Sequence, residues 1–187
     1  MNKKIITLGI VELNSVAKGI MVCDNMLKTA NIELIESLPV CPGKYIIIVN
    51  GEVADVESAV NIGIQTAEIN YVDSLTIPKI HPQIIPGLLG TVKHANIDAV
   101  GVLETFSVAS TIKAADISLK ASKVDIIEIR IAKGLGGKSF YTITGSVSNV
   151  TSAIEAGAFQ VKEDGVLVNK VIIPRPHNNL KQKLIEW

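Results

Sequence analysis

The residue best suited to metal or redox chemistry is Cys41, which opens the run Cys-Pro-Gly-Lys at 41–44. Thiolates bind metals and act as nucleophiles. Cys23 is the only other cysteine, and two cysteines do not make a disulfide framework. An iron–sulfur cluster usually needs four thiolates, more than one chain offers here. Taken alone, Cys41 is therefore either a free thiol at a loop tip or one ligand of a shared metal centre.

The position of this cysteine follows from an internal repeat. Residues 8–36 match residues 100–128 without a gap, with 11 identities among the 29 pairs counted along the sequence. Beyond the cysteine loop the offset grows from 92 to 94, which pairs Gly43 with Gly137, and near the ends of the copies it is 96. Short insertions account for this drift. The chain therefore consists of two copies of one unit.

Each copy shows the same order of apolar periodicities, β-α-β-β-α-β. In the first copy we predict strands at 5–12, 32–40, 45–50 and 71–77, with helices at 15–30 and 52–69. In the second we predict strands at 99–104, 124–132, 139–145 and 165–173, with helices at 107–122 and 147–161. This is the ferredoxin-like order, an α+β fold whose antiparallel sheet carries both helices on one side. The predicted domains are 1–90 and 98–180, joined by a linker at 91–97 and followed by a C-terminal tail at 181–187.

Apolar residues in the first helix recur at steps of four and three, which predicts one stripe facing the sheet. The stripe consists of Val16, Ile20, Cys23, Leu27 and Ala30. Because Cys23 lies on it and the second copy has Ala115 at the same place, we interpret Cys23 as a small core residue.

Composition limits the possible functions. Hydrophobic residues make up 48% and aromatic residues 4%, which favours an oligomer that buries aliphatic surface between subunits. The formal net charge is zero and no basic stripe is visible, so we expect no nucleic acid partner. The apolar segments are too short for a membrane span, and the N-terminus does not resemble a signal peptide, so we expect a cytosolic protein. No catalytic constellation is recognisable, which indicates that the protein is not an enzyme.

The glycine-rich run at 133–139 contains part of a phosphate-binding loop. Its required first glycine is replaced by Ala132, and a strand rather than a helix is predicted to follow Ser139. We therefore interpret this run as an ordinary glycine-rich loop.

Three motifs resemble the shell domain of bacterial microcompartments (BMC): Gly-Ile-Val-Glu at 9–12, Asp-Asn-Met-Leu-Lys-Thr-Ala-Asn at 24–31 and Ile-Pro-Arg-Pro-His at 173–177. Together with the repeat and the 41–44 run, they are similar to the tandem-domain shell proteins of propanediol-utilisation microcompartments. The resemblance implies a homotrimer, shaped as a flat tile of six domains around a central pore. It also implies one [4Fe-4S] cluster per trimer, bound by Cys41 of each subunit and surrounded by Pro42, Gly43 and Lys44. The corresponding pore loop of the second domain consists of Gly134, Leu135, Gly136, Gly137 and Lys138.

The resemblance also implies contacts at the edges of the tile. Lys28 and Lys120 correspond to the lysine through which neighbouring tiles meet, and Lys79 and Arg175 to the assisting basic residue of the Ile-Pro-Arg-Pro-His motif. Because lysine lacks the planar fork of arginine, the two kinds of edge are expected to differ. The implied partners are other shell proteins and encapsulated redox enzymes, and the implied location is a microcompartment shell in the cytoplasm.

Three functional hypotheses follow. The first is a structural tile whose pore carries a redox cluster that passes electrons across the shell. The second is a metal-free tile whose pore conducts small metabolites. The third is a cytosolic small-molecule sensor that binds its ligand between subunits and never assembles into sheets.

Overall fold

The computed structural model describes residues 7–92 and 96–185. The chain divides into two compact units, with the boundary between Ile80 and His81. Each unit contains one four-stranded antiparallel sheet.

The first unit contains the elements β1 (Thr7–Leu13), α1 (Val16–Thr29), β2 (Glu33–Val40), β3 (Lys44–Gly51), α2 (Val53–Ala67), a 3-10 turn (Glu68–Asn70) and β4 (Tyr71–Ile77). The strand order is β2-β3-β1-β4, so β1 and β3 are central and β2 lies at one edge. The predicted ferredoxin-like order is confirmed.

The second unit begins with the short helix α3 (Ile84–Leu88) and continues with β5 (Ala99–Thr105), α4 (Val108–Ala121), β6 (Asp125–Arg130), β7 (Ser139–Gly145), α5 (Val147–Glu163), β8 (Leu167–Ile173) and α6 (Asn178–Ile185). Its strand order, β6-β7-β5-β8, is that of the first unit. Thus β6 is the edge strand that corresponds to β2.

The same local signals start the first helix of each unit. The Ser15 side chain accepts a hydrogen bond from the Lys18 amide, and the Ser107 side chain accepts one from the Ser110 amide. Both are serine N-caps in extended backbone, as their position before an apolar helix predicts. The duplicated serine therefore sets the start of α1 and α4.

The predicted apolar stripe of α1 is wrong in part. The helix buries Gly19, Val22, Cys23 and Met26, whereas Val16, Ile20 and Leu27 are exposed. At Gly19 this buried face packs closely on Tyr45, since a Cβ at this position would overlap the Tyr45 ring. A helix with apolar residues on two adjoining faces has an ambiguous period, and Cys23 belongs to both faces. Its assignment to the core is consistent with the structure.

After each sheet, the structure assigns the following segment differently from the domain limits predicted from the sequence. Residues 81–90 were assigned to the first domain, but α3 packs on β6, where Gly87 lies close to Ile126 and Ile129. Residues 181–185, assigned to a tail, belong to helix α6, and Leu184 packs on an apolar cluster of the second sheet. Both segments contain a helix that packs on apolar residues of the second unit. Part of the proposed linker, residues 93–95, lies outside the described residues.

Candidate functional site

Cys41 lies in the turn between β2 and β3, an antiparallel pair. Its side chain is partly buried, and Pro42 and Gly43 beside it are exposed. The Cys41–Pro42 peptide bond is cis, and Gly43 has a φ of +89°, a conformation that favours glycine. The Gly43 amide donates to the Val40 carbonyl at 3.0 Å. This three-residue turn therefore holds the cysteine close to the end of the sheet.

The equivalent loop of the second repeat is longer and carries no thiol. It extends from 131 to 138, and Gly134, Gly136 and Gly137 have φ values of +73°, +60° and +88°. Gly137 thus has nearly the same φ as its counterpart Gly43. A strand follows this loop, as predicted, so it lacks the helix that a phosphate-binding loop requires. The two repeats therefore share a loop position but not its chemistry.

A lysine–glutamate pair at the base of each loop is an element that sequence reasoning missed. Lys44 Nζ lies 3.5 Å from Glu12 Oε2, and Lys138 Nζ lies 3.0 Å from Glu104 Oε1. The side chain of Glu12 is 1% exposed, whereas that of Glu104 is 29% exposed. Both glutamates and both lysines are aligned by the repeat, so their joint duplication was the available signal. The pairs tie each loop to the central strand of its sheet.

The residues around Cys41 also make contacts within their own chain. Lys44 and Gly43, which the resemblance places around a cluster, contact Glu12 and Val40 within the chain. Among the described residues no group of three histidine, cysteine or acidic side chains is placed to bind a metal ion. Cys23 lies in the core of the first unit.

The four residues expected at the tile edge lie in exposed or partly exposed positions. Lys28 pairs with Asp24, and Lys120 pairs with Asp116, each one helical turn away. Lys79 is exposed, with a φ of +54°, and Arg175 is exposed as well. The repeat thus duplicates an Asp–Lys pair on α1 and α4, and the two aspartates are a second feature that sequence reasoning missed.

The two aspartates have different surroundings despite their equivalent positions. Asp24 is 56% exposed along its side chain, whereas Asp116 is 6% exposed. On Asp116 the His81 amide, in the segment that leads into α3, donates to Oδ1 at 2.7 Å.

Within residues 7–92 and 96–185, every helix is too short or too polar to span a membrane.

The model of the BMC domain family matches residues 7–80 and 99–176, one match per repeat. The chain is 40% identical to the bacterial microcompartment shell protein PduT of Citrobacter freundii, over 96% of this chain and 97% of that protein. It is 31% identical to the carboxysome assembly protein CcmO of Synechococcus elongatus, over 96% of this chain and 68% of that protein.

Among solved structures, the chain is similar to a microcompartment protein from Desulfitobacterium hafniense. The TM-score is 0.90 at 46% sequence identity, covering 95% of this chain and 99% of that one. The two-domain architecture described above is therefore also found in a crystal structure.

Proposed function

The chain belongs to the BMC-domain family, and on that basis we propose that three copies form a tile of six BMC domains around a central pore that displays Cys41. The protein is a structural component of a bacterial microcompartment shell and not an enzyme, as its relatives are shell proteins. Two similar domains per chain allow three chains to approximate sixfold symmetry.

A difference in burial between the two repeats supports association. On α1, Val16, Ile20 and Leu27 are exposed. Their counterparts on α4, Val108, Ile112 and Leu119, are buried in the same chain. Since the two helices occupy equivalent places in equivalent folds, the exposed face of α1 is the one that a further subunit is expected to cover. An apolar patch of this kind marks an interaction surface.

The cofactor we propose for the pore is a [4Fe-4S] cluster, one per trimer, bound by Cys41 of each subunit. The observation that carries this proposal is the asymmetry of the loops: only the first repeat has a thiol, and that thiol is partly exposed in a short, constrained turn. Threefold symmetry would supply three equivalent thiolates, leaving one iron for a non-cysteine ligand. A bound cluster supplies one-electron redox chemistry, which suits electron transfer across the shell.

The chain's own residues would position the ligand. The Gly43 amide closes the turn on Val40, and Lys44 anchors the turn to Glu12. Lys44 in turn neutralises the buried carboxylate of Glu12, which leaves Cys41 as the residue of this loop available to a metal. These contacts limit the movement of the thiol before any cluster is bound.

Anaerobic purification followed by iron and sulfide analysis tests the proposal. We expect four iron and four acid-labile sulfide per three chains, with the broad visible absorption of such clusters. Cys41→Ser should lose both while the trimer persists by light scattering. Cys23→Ala is the matched control, because the second repeat has Ala115 at that position, and it should keep the cluster.

A trimer that stays colourless and free of iron after anaerobic reconstitution would refute the cluster and favour a metal-free pore for small metabolites. A chain that is monomeric under all conditions would refute the tile itself.

We also propose that Lys28, Lys120, Lys79 and Arg175 act at the edges where tiles meet. Their exposure supports this role. Electron microscopy of concentrated protein should show sheets, and Lys28→Asp combined with Lys120→Asp should leave isolated trimers. Sheets that persist in this double variant would contradict the edge assignment.

A further inference from the structure

Only one of two contacts that the repeat would suggest is made within the chain. The segment at 81–84, which follows the first sheet, docks on α4 and β6. Its repeat counterpart at 177–180 follows the second sheet, and its counterpart surface is formed by α1 and β2. We propose that 177–180 of one subunit docks on α1 and β2 of a second copy of this chain, and that this contact closes the trimer. The inference rests on the proposed three-chain tile.

The contact made by the first segment is built from hydrogen bonds to the second repeat. The His81 amide donates to Asp116 Oδ1 at 2.7 Å. Gln83 uses both ends of its amide: Oε1 accepts from the Ile126 amide at 2.8 Å, and Nε2 donates to Asp125 Oδ1 at 2.8 Å. Ile84 is fully buried. The segment thereby caps the start of the edge strand β6, whose outward amide would otherwise be free to pair elsewhere.

The second segment makes the same two local hydrogen bonds as the first. His81 Nδ1 accepts from the Gln83 amide at 3.4 Å, and His177 Nδ1 accepts from the Asn179 amide at 3.2 Å. The carbonyl of each histidine accepts from the amide three residues on, at Ile84 and at Leu180. Segment 177–180 is therefore preformed for the contact that 81–84 makes.

The groups that would complete the second contact are exposed. Leu180, in the place of the buried Ile84, is 38% exposed. On the receiving side, Leu34 of the edge strand β2 is 40% exposed, whereas its counterpart Ile126 is 0% exposed. Asp24, the counterpart of Asp116, is 56% exposed along its side chain. Each half of the second contact is thus exposed in the chain.

The chemistry of the two halves is complementary. The His177 amide corresponds to the His81 amide and would donate to Asp24. The Asn179 side chain is one methylene shorter than that of Gln83 and carries the same donor and acceptor. Glu33 stands where Asp125 receives the Gln83 amide nitrogen, so the acceptor is retained. The docking segment ends near Leu180, because Leu184 further along α6 packs on the cluster around Ile127 in its own unit.

A heterologous contact of this kind closes into a ring when the rotation allows it. The two surfaces lie on different repeats, so each chain donates one segment and receives one. Three chains would make three such contacts, in addition to the three that exist within the chains. The result is six similar contacts around the tile.

Disulfide trapping tests this arrangement. In a Cys41→Ser background, Asp24→Cys and His177→Cys are combined in one chain and oxidised. We expect covalent species between chains that end at three copies on a denaturing gel. The matched control combines His81→Cys with Asp116→Cys, which should cross-link within a single chain because those residues are in contact. The single variants should give no specific product.

A second measurement avoids new cysteines. Asp24→Ala removes a charged acceptor and should weaken trimer association roughly ten- to a hundredfold per contact by native mass spectrometry. Glu57→Ala, an exposed acidic residue on α2, is the control and should leave association unchanged. A trimer that is intact in Asp24→Ala and gives no cross-link between chains would overturn the docking inference while the tile stands. A chain that is monomeric before any substitution would instead refute the proposed function.

Discussion

The pair of Lys44 and Glu12 allows a quantitative prediction, because its counterpart in the second repeat differs mainly in exposure. Lys44→Met keeps most of the aliphatic stem but removes the cation beside a carboxylate whose side chain is 1% exposed. Breaking a buried pair by removing one partner costs about 3–5 kcal/mol. Because the N–O distance is 3.5 Å and Lys44 is 23% exposed, we expect a loss near the lower end, about 3 kcal/mol.

The control is Lys138→Met, which breaks the corresponding pair with Glu104. The Lys138 side chain is 40% exposed and that of Glu104 is 29% exposed, so loss of this ion pair should cost less than about 1 kcal/mol. The two variants thus separate the effect of burial from the effect of pairing.

Hydrogen–deuterium exchange with mass spectrometry measures the two repeats separately, which a single unfolding transition of a two-unit chain does not. For Lys44→Met, peptides from β1 and β3 should exchange roughly a hundredfold faster. Peptides from β5 and β7 should be unaffected. Equal effects in the two variants would refute the reasoning, since burial of the glutamate would then not decide the cost.

Three further predictions concern stability. Burial raises the pKa of Tyr141 above its ordinary value of 10.0, so the folded state favours the neutral phenol. Its contribution to stability should be complete below pH 10 and decline above it, and Tyr141→Phe should show a flatter alkaline unfolding profile by circular dichroism. Gly19→Ala should lower the melting temperature, because the new Cβ would overlap the Tyr45 ring, and such overpacking costs about 1–3 kcal/mol. Asp116→Ala should destabilise the chain by about 1.5–3 kcal/mol in urea unfolding, through loss of the contact with the His81 amide. Asp24→Ala should leave the unfolding free energy of dissociated chains nearly unchanged, since its side chain is exposed.

The division into two equivalent folds could be predicted from the repeat, and the order of helices and strands from apolar periodicity. Local chemistry explains why. Ser15 and Ser107 cap their helices with contacts three residues away, and Gly43 and Gly137 share a positive φ that few other residues adopt. Signals of this kind act over a few residues, so a single sequence contains them completely.

The faces of the helices could not be assigned in the same way. On α1 the apolar residues cover two adjoining faces, and the ring of Tyr45 against Gly19 selects the one that meets the sheet. The second face, with Ile20, differs in exposure from its counterpart on α4 although both carry isoleucine. Identical residue types therefore have different surroundings in the two repeats.

Contacts between residues that are distant in the sequence also lie beyond the reach of local patterns. The pairing of Lys44 with Glu12 and the docking of His81 on Asp116 each join residues more than 30 positions apart in the chain. Their energies depend on which surfaces the folded chain buries, and burial is a property of the whole arrangement rather than of a local pattern. The residue types of the candidate site, Cys41 above all, can thus be identified from the sequence. The pairing of Lys44 with Glu12 and the exposure of Asp24 depend on long-range packing.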